Sequence, residues 1–353
     1  MDQSVLRRAL AVLSAVAIVL LMVLVSMRVW PSAVDEPGRS SGPQIPRLVA
    51  PASTTIGVPP RQSFPPTNDG SQPSTNAPAD ASASADLAPP DLGADEPSCA
   101  VRRYTPPTAL DPFEGDLCRP GAAQRDVAVV LVHGGGGVGG ERADFGQWER
   151  WYLDQGFVTF NIDYRLLDPA VDFALFPQPE ANVKAAIQYL RLSAEELGIA
   201  PDRIVVHGAS AGARLGGMVL VTPNDPAFSA TDRWPFVSDA AAGFIGFYGY
   251  YNGWQFEPEA YYGGSIPGRA NVESLAAGFS GPVFLSHGTA DGLISVELSQ
   301  QFAEALSAAG ADVTLSFPPG ENHVFDGYDG PVLTEAGEAE AAKVLFWLED
   351  HFG

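Results

Sequence analysis

The stretch Gly208-Ala209-Ser210-Ala211-Gly212 follows directly after the apolar run Ile204-Val205-Val206 and precedes a segment compatible with a helix. A serine hydroxyl becomes a useful nucleophile when a sharp turn from a strand into a helix lifts it out of a sheet. Small residues on both sides of the serine allow the backbone to make that turn. The pattern therefore predicts that Ser210 is a nucleophile placed between a strand and a helix.

Three further segments support this interpretation, which needs support because the chain holds 37 glycines and short glycine motifs arise by chance. Residues 133–137, His-Gly-Gly-Gly-Gly, follow an apolar run upstream of Ser210. Downstream, Asp291 follows another apolar run, and His323 lies 32 residues further on. We expect His323 to be the general base for Ser210 and Asp291 to orient the imidazole, although a surface acid is the alternative for Asp291.

The chain has five histidines, so the base can be chosen largely by elimination. His133 and His207 belong to the glycine segment and to the strand before Ser210, where buried imidazoles are expected. We expect His287 to share a strand end with the acid and His351 to be solvated in the last helical segment. Only His323 follows the acid and lies in a loop after a strand.

Beyond about residue 119, short apolar runs alternate with amphipathic segments, which is typical of a mostly parallel sheet with helices on both faces. Residues 335–352 read as a final packing helix. We therefore predict an α/β fold. The predicted strands are residues 127–132, 157–162, 204–206, 242–247, 283–286 and 313–317.

Taken together, these segments resemble the hormone-sensitive-lipase-like, or acetyl esterase, branch of the α/β-hydrolases over residues 125–353. The resemblance implies an α/β-hydrolase fold and an oxyanion hole formed by the backbone amides of Gly135, Gly136 and Ala211. The sequence departs from the branch at Ala209, where an acidic residue is usual, and at Val324, where glycine is common. The segments that carry the resemblance are residues 133–137, 163–166, 208–212, 287–291 and 320–323.

The N-terminal part predicts an anchor and a tether. Residues 9–27 carry no charge, and as a helix these 19 residues would span roughly 29 Å, close to a hydrocarbon core of about 30 Å. We expect a transmembrane signal anchor at residues 1–30, with a cleaved signal peptide as the alternative. Residues 31–97 contain 14 prolines, so we expect a disordered linker there and the catalytic domain at residues 98–353.

Cys99 and Cys118 are the two cysteines of the chain. An anchor that places the domain outside the cytoplasm lets them oxidise, and we expect a disulfide whose segment packs on the domain as a clasp. Two unpaired thiols in a cytosolic protein are the alternative.

The net charge of −22 argues against nucleic acid as a partner. We expect a serine carboxylesterase of the cell membrane, with an extracytoplasmic domain, a small-molecule ester substrate, no metal and no cofactor. A secreted enzyme is the alternative localisation. Alternative functions are a serine peptidase or acyltransferase on the same fold, or an anchored binding protein without turnover.

We expect short, acetyl-type acyl groups, because the branch commonly accepts them and residues 247–282 contain no long apolar insertion. The aromatic residues between 247 and 262 either line the substrate cleft or pack in the core.

Overall fold

A computed structural model describes residues 96–353 apart from residues 106–112, 122, 169, 171, 229–233, 254–257 and 265–266. The expected anchor at residues 1–30 and the expected linker up to residue 95 lie outside the described residues. None of the helices in the described part combines the length and the apolar character that a bilayer crossing requires.

A single eight-stranded sheet, in the order β1-β2-β4-β3-β5-β6-β7-β8, organises the described part of the chain. Strand β2 pairs antiparallel with β1 and β4, and all other neighbouring strands are parallel. The strands are β1 (Ser98–Arg103), β2 (Glu114–Arg119), β3 (Ala128–Val132), β4 (Val158–Ile162), β5 (Ile204–Ala209), β6 (Gly243–Phe247), β7 (Pro282–Ser286) and β8 (Asp312–Ser316).

Helices cover both faces of this sheet. The described α-helices are α1 (Gly146–Asp154), α2 (Gln178–Leu192), α3 (Ala194–Leu197), α4 (Ala211–Val221), α5 (Pro258–Tyr262), α6 (Val272–Leu275), α7 (Glu297–Ala308) and α8 (Glu335–Phe352). Single turns of 3₁₀-helix span Arg142–Phe145, Pro226–Phe228, Gly268–Ala270 and Ala276–Gly278.

The core lies in two layers, one on each face, because side chains alternate along a strand. Val130 of β3 packs in the layer covered by α2, α4 and α7, whereas Val129 packs in the layer covered by α1 and α8. Every residue of β3 is buried, which is the pattern of a central parallel strand. The expected mostly parallel α/β-hydrolase sheet is therefore present, and the predicted strands match β3 to β8.

The predicted clasp needs a correction, because the segment around the cysteines is part of the sheet. Strands β1 and β2 form an antiparallel hairpin at its edge, and the sulfur atoms of Cys99 and Cys118 are bonded across it. Half of the positions in β1 are exposed. The strands escaped prediction because β1 has no buried position and β2 carries three charged residues, so neither shows an apolar run.

Candidate active site

The four segments singled out from the sequence lie together at the carboxyl ends of the parallel strands. The glycine segment follows β3, Ser210 follows β5, Asp291 lies in the loop after β7, and His323 lies in the loop after β8. The carboxyl ends of parallel strands face the same way, so residues far apart in sequence come together there.

Ser210 occupies a strained turn between β5 and α4. Its backbone has φ 53° and ψ −114°, and residues other than glycine rarely adopt a positive φ. The turn is tight because α4 starts directly against β3. A Cβ atom on Gly212 would lie only 2.0 Å from the carbonyl oxygen of Val132. The structure thus has the expected strand-to-helix turn, and its geometry requires glycine at 212.

A continuous hydrogen-bonded chain joins the three expected catalytic side chains. Nε2 of His323 lies 3.1 Å from Oγ of Ser210, and Nδ1 of His323 lies 2.7 Å from Oδ2 of Asp291. An ionised carboxylate only accepts hydrogen bonds, so Nδ1 carries the proton and Nε2 is left to accept the serine proton. This arrangement supports general-base activation of Ser210.

Asp291 is held by more donors than His323 alone. Its side chain is buried, and its Oδ1 accepts backbone N–H groups of Leu293 and Ile294, both at 2.8 Å. Its Oδ2 also contacts Nε2 of His287 at 3.1 Å. Burial alone would raise the pKa of Asp291, but the hydrogen bonds from His287 and His323 outweigh it and hold the pKa below its ordinary value. Asp291 therefore stays ionised at neutral pH.

The contact between His287 and Asp291 was not predicted from the sequence. We expected His287 only to share the strand end with the acid. Its Nε2 faces the carbonyl oxygen of Ile294 at 3.0 Å as well as Asp291, so that nitrogen carries a proton. Its Nδ1 lies 2.7 Å from the hydroxyl of Ser299 in α7. The spacing of four residues between His287 and Asp291 was the available signal, but the strand end alone does not reveal which atoms meet.

The glycine segment lies against the nucleophile. A Cβ atom on Gly134 would be 3.3 Å from Cβ of Ser210, so the backbone passes close to the reacting group. Gly135 has φ 97°, and a Cβ atom there would lie 2.1 Å from the carbonyl oxygen of Gly139. The hydroxyl of Tyr164 donates to the carbonyl of His133 at 2.9 Å and fastens the start of the segment. The assignment of the amides of Gly135, Gly136 and Ala211 to an oxyanion hole stays a prediction.

The other histidines lie away from the serine hydroxyl. His133 and His207 are fully buried, as expected. Burial lowers the pKa of His207 to about 3, so its imidazole is neutral. We expected His351 to be solvated, but it is half-buried, and its Nδ1 donates to the carbonyl of Trp347 at 2.8 Å.

An apolar cluster adjoins the nucleophile through Ala211 and includes Leu167, Leu175, Tyr250, Tyr261 and Ile294. Next to it lies a fully buried ion pair in which Arg214 meets Glu180 at 2.7 Å. The hydroxyl of Tyr261 lies 2.9 Å from the same carboxylate. Of the aromatic residues expected in this region, Trp254 and Phe256 lie outside the described residues.

Two family models match the chain. Residues 116–260 match the family described as BD-FAE, and residues 237–352 match the dienelactone hydrolase family. Together they include the glycine segment and all three candidate catalytic residues.

Curated relatives include Esterase LipC of Mycobacterium tuberculosis, which is 29% identical over 63% of this chain and 58% of its own length. Esterase LipQ of the same organism is 28% identical over 59% of this chain and 53% of its own length. The chain thus spans a little more than half the length of these relatives.

Solved structures with the same fold include Thermogutta terrifontis esterase 2 phosphorylated by paraoxon. It has a TM-score of 0.61 and 24% identity, over 72% of this chain and 95% of its own. The butyrate-bound form of that esterase has a TM-score of 0.59 and 23% identity, over 71% of this chain and 94% of its own. The chain has the α/β-hydrolase fold.

Proposed function

We propose that this protein is a serine carboxylesterase, with Ser210 as nucleophile, His323 as general base and Asp291 as the acid that orients the base. The observation that carries the proposal is the hydrogen-bonded chain from Ser210 through His323 to Asp291 on a strained strand-to-helix turn. Relatives named as esterases support the ester over the amide as the bond that is cleaved.

The reaction follows from these contacts. Oγ of Ser210 bonds to the ester carbonyl carbon as its proton passes to Nε2 of His323, and negative charge develops on the carbonyl oxygen. The amides of Gly135, Gly136 and Ala211 would stabilise that charge. The carbonyl re-forms as the ester C–O bond breaks, and His323 protonates the leaving alcohol. Water, deprotonated by His323, then hydrolyses the acyl-serine and restores Ser210.

The proposal includes a preference for short acyl groups. The apolar cluster that begins at Ala211 is tied through Tyr261 to the buried pair of Arg214 and Glu180. A long acyl chain that extended past Tyr261 would have to break a buried ion pair, and the charge left behind would be uncompensated. An acyl group too short to reach Tyr261 avoids that cost.

A series of p-nitrophenyl esters tests the function and the acyl preference together. We expect kcat/KM to be higher for the acetyl and butyryl esters than for the lauroyl ester, and Ser210→Ala to remove turnover of all three. Turnover that survives in Ser210→Ala would contradict the serine mechanism. A kcat/KM that rises continuously to the lauroyl ester would contradict the short acyl site but not the mechanism.

Membrane attachment is a further part of the proposal. Residues 1–30 would form a single-pass anchor, residues 31–97 a flexible linker, and residues 98–353 an extracytoplasmic catalytic domain. The proximity of Cys99 and Cys118, whose Cα atoms lie 4.1 Å apart, supports an oxidising compartment. We expect the protein to fractionate with membranes at its full mass of 37.2 kDa. A mature N-terminus near Val34, measured by intact mass, would instead mean a cleaved signal peptide.

A further inference from the structure

A buried hydrogen-bonded group of Asp326, Trp148 and Tyr248 lies next to the candidate base. It has no part in the reaction steps above. Asp326 is fully buried, and its two carboxylate oxygens accept the indole N–H of Trp148 and the hydroxyl of Tyr248, each at 2.7 Å. Burial raises the pKa of Asp326, although both hydrogen bonds act in the opposite direction. Burial of a carboxyl group lowers the stability of the fold, and here only neutral donors compensate it.

Tyr248 connects this buried group to the base. The edge-to-face contact between the rings of Tyr248 and His323 has a centroid distance of 4.7 Å and an interplanar angle of 63°. Asp326 itself lies three residues after His323 in the same loop. The hydrogen bond from Tyr248 to Asp326 therefore fastens the loop that carries the base to the end of β6.

The backbone of Tyr248 is constrained in a way that fits this role. It has φ 40°, in the left-handed region, and its N–H donates to the carbonyl of Ser286 in β7 at 2.7 Å. Val324, directly after the base, also has a left-handed φ of 55°. Strained residues other than glycine persist where their surroundings fix them, and they concentrate at functional sites.

We propose that Tyr248, fixed by Asp326 and Trp148, is a positioning residue that holds the imidazole of His323 between Ser210 and Asp291. The inference rests on the proposed esterase function. The Tyr248 ring limits how far the imidazole can tilt, and the hydroxyl bond to Asp326 keeps the ring in place. Both contacts act on the loop after β8, so loss of either one lets the base move relative to Oγ of Ser210.

Replacement of Tyr248 with Phe tests this directly, because it keeps the ring and removes only the bond to Asp326. Misplacement of a catalytic group by about 1 Å can cost about 100-fold in rate, so for a smaller shift we expect kcat for p-nitrophenyl acetate to fall about tenfold while KM stays within about twofold. Tyr251→Phe is the matched control. Tyr251 is also buried, but it packs in the core against Phe302 at a centroid distance of 4.2 Å. The Tyr251→Phe variant also loses one buried hydroxyl, and we expect its kcat to be unchanged.

Asp326→Asn and the double variant with Tyr248→Phe separate positioning from simple loss of stability. If the two residues act as one unit, the double variant should lose no more kcat than the more impaired single variant. Thermal unfolding of all variants shows whether each is folded at the assay temperature. The rate at which a fluorophosphonate reacts with Ser210 gives a second readout and should fall in parallel with kcat.

The outcomes are distinguishable. A Tyr248→Phe variant that retains wild-type kcat and labelling rate, or kcat losses that multiply in the double variant, would overturn the positioning role while leaving the esterase function intact. A wild-type protein that neither hydrolyses the ester nor reacts with the fluorophosphonate would overturn the function and this inference together.

Discussion

At the scale of single residues, burial keeps the imidazole of His207 neutral. His207 is fully buried among the rings of Phe145, Trp148 and Phe247, and its Nδ1 lies 2.9 Å from the hydroxyl of Tyr152. Its pKa is lowered to about 3, whereas an unfolded histidine titrates near 6.5. Between these values the unfolded chain binds a proton that the folded protein does not, so acid favours unfolding.

The sign of this effect can be measured. His207 should have no effect on the pH dependence above about pH 6.5, and it should lower the free energy of unfolding by roughly 1.4 kcal/mol for each pH unit below that. Between pH 7 and pH 4.5 the free energy of unfolding should fall by roughly 2–3 kcal/mol less in His207→Gln than in the wild type. Urea unfolding at the two pH values measures this difference. Equal losses in both proteins would mean that His207 is not neutral in the fold.

Sequence order was informative where a motif has a fixed order along the chain, although the catalytic roles themselves stay a prediction. Ser210, Asp291 and His323 were predicted from their sequence context, and the structure brings them into one hydrogen-bonded chain. The contacts of His287 and Tyr248 could not be predicted in the same way. Tyr248 and Asp326 are separated by 78 residues, and nothing local marks them as neighbours.

At the scale of elements, the disulfide between Cys99 and Cys118 should stabilise the hairpin of β1 and β2. The disulfide closes a segment with a sequence separation of 19 residues, which corresponds to roughly 3 kcal/mol in the chain-entropy model. We expect the double variant Cys99→Ala and Cys118→Ala to unfold at lower urea, with kcat preserved, because the hairpin lies at the sheet edge beyond β4 and β3.

Reduction provides the control for this prediction. A thiol reductant should lower the stability of the wild-type protein toward that of the double variant and should leave the double variant unchanged. Wild-type protein that shows two free thiols by mass spectrometry, before any reductant is added, would contradict the disulfide itself.

Elements with strong apolar runs were predicted closely, and the others were not. The run at residues 127–132 became β3, whose every position is buried, and residues 335–352 became α8. The sequence of β2, Glu-Gly-Asp-Leu-Cys-Arg, contains three charged residues and reads as a loop. Its pairing with β1 and β4 makes it a strand, and pairing partners are set by the tertiary fold rather than by local pattern.

At the scale of the whole molecule, the parallel sheet explains why one edge collects the chemistry. The order β3-β5-β6-β7-β8 places the glycine segment next to Ser210, and it places Tyr248, after β6, between the nucleophile and the strands that lead to Asp291 and His323. Helices pack on both faces of the sheet that carries these loops. The order of these strands in space was the part of the architecture that neither composition nor periodicity revealed.

The central claim is that Ser210 is a nucleophile activated by His323. The most direct measurement is peptide mapping by mass spectrometry after reaction of the full chain with a fluorophosphonate. We predict one adduct, on Ser210, formed in the wild-type protein at neutral pH and strongly reduced in His323→Ala. An adduct on another residue, or none in a wild-type protein that still hydrolyses esters, would contradict the account.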